Sequence, residues 1–480
     1  MKGVSMINKC SLCAFFASIA GYSAAASTPN VVFFLVDDMG WMDCGCYGSR
    51  SYETPNIDRL AGEGMRFTQA YTAFPRCAPA RQALMTGRFP ARNGSPGRDE
   101  AMSASEFTLA EAMKAGGYAT FFAGKWHIGK VPEQMPENQG FDVNIAGGEA
   151  GSPPSYFFPY NKVREAGHKT EGDICGLDEG REGEYLTDRL TDETISFISR
   201  HRTEKPHQPF FVYLSHYAVH TPFEAKPELI SYCENKLRKI SFDGPEYVDR
   251  DGTTKVRQDN AVYAAMIKSM DESLGRVMDT LEKLGIADST VIVLTGDNGG
   301  LSNRGADSNR RLATSNLPLR AGKGHCYEGG IREPMIVKWP GTVKPGTVSD
   351  DVVTGTDHYP AILEIAGLPL RPQQHLDGFS YVPALKGGTL ARPAPIFWHS
   401  PSGRPNQTGD INCTAMRDGD WKLLDFYDEN RVELYNLKTD PYETRDLSKT
   451  DADRTVKMLE AVRSWRKEIN AVIKTKPSKK

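Results

Sequence analysis

The segment NVVFFLVDD, Asn30 to Asp38, is an apolar run without polar alternation that stops abruptly on two carboxylates. A strand with one wet face alternates polar and apolar residues. An unbroken run instead suits a strand covered on both faces, and such strands sit mainly in parallel sheets between layers of helices. The runs YATFFAG, PFFVYLS, TVIVLTGDN and EPMIVKW repeat the pattern. Helical segments lie between them. TPNIDRLAGEG has Thr54 as its cap and Pro55 in its first turn, and TLAEAMKAGG, LTDRLTDETISFISRH and DHYPAILEIAG read the same way. A longer helix carries Val262, Met266, Met270, Leu274, Val277, Leu281 and Leu284 on one stripe. The expected fold class is α/β, a large mostly parallel sheet flanked by helices.

Near residue 378 the pattern changes. CTAMRDGDWKLLDFYDENRVELYNL reads as antiparallel strands with a tight turn at Asp428-Glu429-Asn430. A terminal helix follows, with Val456, Leu459, Val462, Trp465, Ile469 and Val472 on its apolar stripe. The chain thus divides into a main unit over residues 27–377 and a smaller C-terminal α+β subdomain over 378–480. Two segments, Asn144 to Tyr185 and Phe223 to Asn260, show no regular element and read as long loops around a functional rim.

Residues 1–26 have the layout of a cleaved secretory signal: Lys2 and Lys9, an apolar stretch from Leu12 to about Gly21, then small residues up to Ala26. The stretch is too short to span a bilayer, and no other segment reads as transmembrane. The mature chain is expected to be exported, periplasmic or extracellular, with no integral membrane segment; Leu12 argues against a lipid anchor on Cys13. Of nine cysteines, Cys10 and Cys13 fall inside the signal and the rest are too scattered to define a disulfide framework. The 58 basic and 61 acidic residues leave a charge of −3, so no overall field draws nucleic acid or an anionic surface. Anion recognition has to be local.

The chemistry gathers at strand ends. Asp37 and Asp38 follow FFLV, Lys125 and His127 follow TFFAG, His216 and His220 follow FFVYLS, and Asp297 and Asn298 follow VIVLTG. Ligands of open parallel sheets bind beyond the carboxyl ends of the strands, so these distant segments can share one pocket. Any one such Asp is as readily a helix cap or turn residue; four endings together carry the argument. Asp37, Asp38, Asp297 and Asn298 offer only oxygen ligands, the set that suits Ca²⁺ or Mg²⁺. Lys125, His127, His220 and Lys323 supply cationic or proton-transferring groups for an anionic ester, although Lys323 has no strand-end setting to distinguish it from a solvated loop lysine.

Cys77 raises a separate question. It stands at or near the start of a short helix, with Pro79 placed for the first helical position and Gly87 for the end. A helix N-terminus favours negative charge, either a thiolate or a bound anion; a buried structural cysteine is the alternative.

The stretch CAPARQALMTGR resembles the signature of the formylglycine-dependent sulfatases, of the alkaline phosphatase-like superfamily. DDMGWMDCGCYG, GKWHIGK, HTPF, TGDNGG and GKGHCYEGGIREP resemble further blocks of that family, in its order. The resemblance implies an alkaline phosphatase-like fold, with a catalytic unit over 27–377. It also implies oxidation of Cys77 to Cα-formylglycine by a maturation enzyme that reads Cys77, Pro79 and Arg81, after which Arg81 steadies the site. Asp37, Asp38, Asp297 and Asn298, with the modified Cys77, would be calcium ligands. Lys125, His127, His220 and Lys323 would bind sulfate and move protons. The implied substrate is a sulfated mono- or oligosaccharide entered from a chain end, with Trp126, Tyr156, Phe157, Phe158, Trp398 and His399 as possible sugar contacts. A phosphate or phosphonate ester hydrolase of the same superfamily, or an unmodified carbohydrate-binding homologue without catalysis, are the rival readings.

Overall fold

The computed structural model describes residues 28–94, 101–161 and 174–473; the expected signal over 1–26 lies outside them. The main sheet has eight strands: β1 (Asn30–Val36), β2 (Met65–Tyr71), β3 (Ala119–Gly124), β4 (Val143–Ile145), β5 (Phe210–His216), β6 (Thr290–Gly296), β7 (Arg332–Lys338) and β8 (Thr347–Thr354). Their order is β8-β2-β7-β6-β1-β5-β3-β4. β1 runs parallel to both β5 and β6. Its side chains divide as the pleat requires: Val32, Phe34 and Val36 enter one apolar layer and Val31, Phe33 and Leu35 the other. β7 is antiparallel to both neighbours, β6 and β2, a direction that its sequence does not reveal, because an apolar run reports burial alone.

The flanking helices are α1 (Pro55–Glu63), α2 (Cys77–Thr86), α3 (Leu109–Ala115), α4 (Leu186–Glu204), α5 (Pro227–Leu237), α6 (Ala261–Lys283) and α7 (His358–Ile365), and α8 (Ala452–Glu468) packs with the C-terminal strands. Among the described residues, none is long and apolar enough to cross a membrane. Thr54 precedes α1 but its side chain does not cap it. The Thr54 hydroxyl accepts from the Gly45 N–H, and the N–H groups of Asn56 and Ile57 donate to Asp271 on α6. Pro79 is the third residue of α2 and not the first; it is tolerated because the whole first turn has no intrahelical acceptor for its N–H groups. Gly87 ends α2 in the left-handed region, φ 67°.

Phe223–Asn260 is not a bare loop. It holds α5 and two short strands, Tyr247–Asp249 and Thr253–Lys255. The C-terminal sheet pairs β9 (Ile396–Ser400), β10 (Cys413–Asp418), β11 (Trp421–Phe426) and β12 (Arg431–Asn436), all antiparallel. Asn430 takes the positive φ, 49°, that the expected tight turn needs. On α8 the buried stripe is Met458, Val462 and Trp465, whereas Val456 is 55% exposed and Ile469 and Val472 lie past the helix end.

A buried charge cluster joins the two sheets. Lys422 on β11 reaches Glu328 Oε1 at 2.9 Å and Glu443 Oε1 at 2.8 Å, all three fully buried. Glu328 also accepts from the Tyr71 hydroxyl of β2 at 2.7 Å, and its N–H donates to Glu443 Oε2. Lys422→Met is expected to lower unfolding free energy by about 3–5 kcal/mol, since Glu443 and Glu328 would face each other, both buried, with only Arg332, 3.6 Å from Glu328, ion-paired to either among the described residues. Denaturant unfolding of both proteins checks this.

Candidate active site

Backbone pairing brings the strand ends to one point. The Asp37 N–H donates to Ala218 O and the Val219 N–H to Asp37 O, which places the turn carrying His220 beside β1. The Asp297 N–H donates to Val36 O on the other side. The Lys125 N–H donates to Ser215 O at 2.8 Å. This approach needs Gly124, which has φ +105° and whose added Cβ would lie 1.9 Å from Ser215 O. Lys323 arrives from a loop whose N–H groups donate to Gly300 O and, from Gly324, to Pro75 O beside Cys77. Asp38 and His127 have φ 59° and 60°. Such strain in non-glycine residues collects at functional sites.

The side chains interlock. Lys125 Nζ donates to Asp37 Oδ2 at 2.6 Å, and Lys323 Nζ to both oxygens of Asp38 at 2.5 and 2.7 Å. Arg81 donates to Asp297 Oδ2 at 2.9 Å, to Lys125 O at 2.7 Å and to Ser215 Oγ at 2.6 Å. Cys77 Sγ lies 3.2 Å from Lys323 Nζ and 3.9 Å from Asp38 Oδ1. One oxygen from each of Asp37, Asp38 and Asp297 lies with Cys77 Sγ in a group within 4.8 Å of one another. The Asn298 Nδ2 donates to Asp38 Oδ1 at 2.8 Å.

Charges in this space shift one another. Burial raises Asp37, against the pull of Lys125. Burial and the Asp37 carboxylate push Asp297 up to about 6. Burial also opposes ionisation of Asp38, but Lys323 and His220 hold it well below the usual carboxylate range. The Cys77 thiol is buried, yet Lys125 and Lys323 bring it down to about 6. Burial opposes the charge of Lys323, and Asp38 overcomes it and raises the group.

The donor set suits a hard cation. Among the described residues, Asp37 Oδ1 and Asn298 Oδ1 are buried and have no hydrogen-bond partner. Burying such oxygens unpaired is costly, whereas a cation takes both. The carboxylates of Asp37, Asp38 and Asp297 face Lys125, Lys323 and Arg81 one for one. A dication would therefore leave the pocket net positive, ready for an anion.

Of the residues expected here, Cys77, His127, His220 and Lys323 line one cavity of about 430 Å³, with Asp37, Asp38, Asp297, Asn298, Lys125 and Arg81 buried around its base. His220 Nδ1 lies 2.8 Å from Thr221 O. A carbonyl only accepts, so Nδ1 carries a hydrogen, and Nε2 is the nitrogen that faces Asp38 Oδ2, at 3.6 Å. His216 is elsewhere, its ring packed in the core against Ser273 Oγ at 2.9 Å. The expected aromatic sugar contacts also fail. Trp126, Tyr156, Trp398 and His399 are buried in the core, Phe157 and Phe158 pack against it, and none of the six lines the cavity. Sequence reasoning missed Arg76, Arg310, Arg404 and Gln407 on the cavity wall. Only Arg76, adjacent to Cys77, had a positional signal.

A sequence model of the sulfatase family matches residues 29–368, and one described as the C-terminal part of N-sulphoglucosamine sulphohydrolase matches residues 322–469. The chain is 34% identical to human N-acetylgalactosamine-6-sulfatase over 79% of its own length and 70% of that protein's. It is 30% identical to a sulfatase of Formosa agariphila over 92% and 89% of the two chains. Among solved structures, Ps i-CgsB in complex with k-i-k-neocarrahexaose is similar at a TM-score of 0.76 and 31% identity, covering 92% of this chain and 93% of that one.

Proposed function

Because this chain belongs to the sulfatase family and is a sulfuric ester hydrolase, we propose that it cleaves a sulfate ester of a mono- or oligosaccharide in the cavity above Cys77. The convergence of Asp37, Asp38 and Asp297 on a cysteine at a helix start, with Asn298 bonded to Asp38, carries the reading. Relatives named for a sulfated amino sugar and a neighbour crystallised with a neocarrahexaose support a carbohydrate substrate.

Asp37, Asp38, Asp297 and Asn298 would hold calcium, with magnesium second because it demands a stricter geometry. Bound there, the ion would neutralise sulfate oxygens as a Lewis acid. Residue 77 as Cα-formylglycine hydrate would supply two hydroxyls, one of them a nucleophile better matched to a hard ion than a thiol. Lys125 and Lys323 bind the sulfate oxygens. His220, through Nε2 and beside Lys323, protonates the departing alcohol oxygen, with Asp38 Oδ2 3.6 Å from that nitrogen. His127 accepts a proton on the residue 77 side of the cavity. Arg81 fixes Asp297 and the Lys125 backbone. A maturation enzyme would read Cys77, Pro79 and Arg81 before folding, since all three are buried in the fold. Residues 1–26 would direct export to the periplasm or beyond.

The test is a parallel assay on aryl sulfate, sulfated sugars and the matching phosphate esters, using protein whose residue 77 conversion is verified by peptide mass. Sulfate esters are expected to be favoured in kcat/KM, and terminal sulfates over internal ones. Preferred turnover of phosphate, or no sulfate hydrolysis by fully converted protein, would overturn the reading; equal turnover of internal and terminal sulfates would overturn entry from the chain end.

A further inference from the structure

At about 430 Å³ the cavity has the size of a site for a whole small ligand and not for one sulfate. Its base is accounted for by Cys77, His127, His220 and Lys323. The wall is not. Ser308 and Arg310 come from the loop that follows residue 304, and Arg404 and Gln407 from the loop before β10.

These two loops are docked firmly. The Gly305 N–H donates to Gln407 O at 3.2 Å, and a Cβ on Gly305 would lie 1.9 Å from Pro405 O. Arg76 pairs with Asp410 and donates to Ser402 O at 2.8 Å, and His325 Nε2 lies 3.0 Å from Thr408 O. Asp410 is engaged by Arg76 and Thr408, and Asp38 by Lys323. Arg310 is half-buried on this wall. Among the described residues, no carboxylate lies within ion-pair distance of its guanidinium, and its charge is near enough to oppose that of Lys323. A guanidinium held at a cavity wall without a counter-ion presents a planar fork that suits a carboxylate or sulfate.

We propose that Arg310, with Arg404 and Gln407 beside it, forms a second oxyanion-recognition site that takes a further anionic substituent of the carbohydrate while the reacting sulfate lies over Cys77. This rests on the sulfated-carbohydrate reading above. The chemistry is shared by two sources, a second sulfate ester and a uronate carboxylate.

Calorimetric titration of the full chain carrying Cys77→Ala separates them. Three ligands are compared: a monosulfated sugar, its disulfated form, and a monosulfated disaccharide containing a uronate. One of the two doubly anionic ligands is expected to bind about tenfold or more tightly than the monosulfated sugar. Tighter binding of the disulfated sugar assigns the site to sulfate, and of the uronate to carboxylate. Adding Arg310→Gln is expected to reduce that preference to about twofold, and Arg310→Lys to retain part of it, as charge without the fork. Equal binding of all three ligands, or a preference that survives in Arg310→Gln protein with an unchanged thermal midpoint, would overturn the proposal. Failure of the functional reading is distinguishable, because it shows as absent aryl sulfate turnover by converted protein with residue 310 intact.

Discussion

Cys77→Ala is expected to lower kcat/KM for sulfate esters on the order of 10⁴-fold while the thermal midpoint changes by only about 2 °C. The size of the kinetic effect follows from position. Residue 77 lies where α2 begins, within 4.8 Å of the carboxylate group and against Lys323, so no neighbouring side chain stands in the same place to attack sulfur. The small structural effect follows from its contacts, since the two polar groups that Sγ approaches, Lys323 and Asp38, are already paired with each other. Steady-state assays with aryl sulfate and circular dichroism melts measure the two. A variant that retained more than a tenth of parental activity would remove residue 77 from the chemistry.

Calcium is expected to stabilise the chain, by about 2.7 kcal/mol at a hundredfold excess over its dissociation constant, and Asn298→Ala is expected to abolish most of that gain. Burial raises Asp37, and burial with the Asp37 carboxylate raises Asp297, so a cation at this site would relieve the cost of their charges. Asn298 is the informative position because it is the uncharged member of the set. Its loss removes the Oδ1 that has no protein partner while leaving each carboxylate with its own cation. Thermal melts of chelator-treated protein against added calcium and magnesium provide the readout. Equal shifts in parent and Asn298→Ala protein would place the ion elsewhere.

Much of the fold is legible in the sequence, and the exceptions share a cause. β1, β3, β5 and β6 were readable because strands buried on both faces are apolar throughout. β2 and β8 were not, since MRFTQAY and TVSDDVVT carry polar residues toward the edge of the sheet, where one face is partly wet. On α8, Val456 satisfies the helical period yet stays exposed, because the stripe that packs is set by what the C-terminal sheet presents to it. The aromatic residues show the same limit. Tyr156 and Trp398 could have faced a sugar or the core on composition alone, and packing put them in the core.

The residue types of the site were determined by the chain itself: oxygen ligands, Lys125 and two histidines after apolar runs, and a cysteine at a helix start, each a local fact of sequence, whereas Lys323 had no such local mark. What only the tertiary structure decided was their mutual distance and company. Parallel pairing of β1 with β5 and β6 sets Asp37 beside Ala218 and Asp297 beside Val36, contacts across some 180 and 260 positions that no local period encodes. The wall bearing Arg310 was invisible for the same reason. It is built from two loops without periodicity, and a loop's direction depends on what it docks against, here on Gly305 fitting under Pro405.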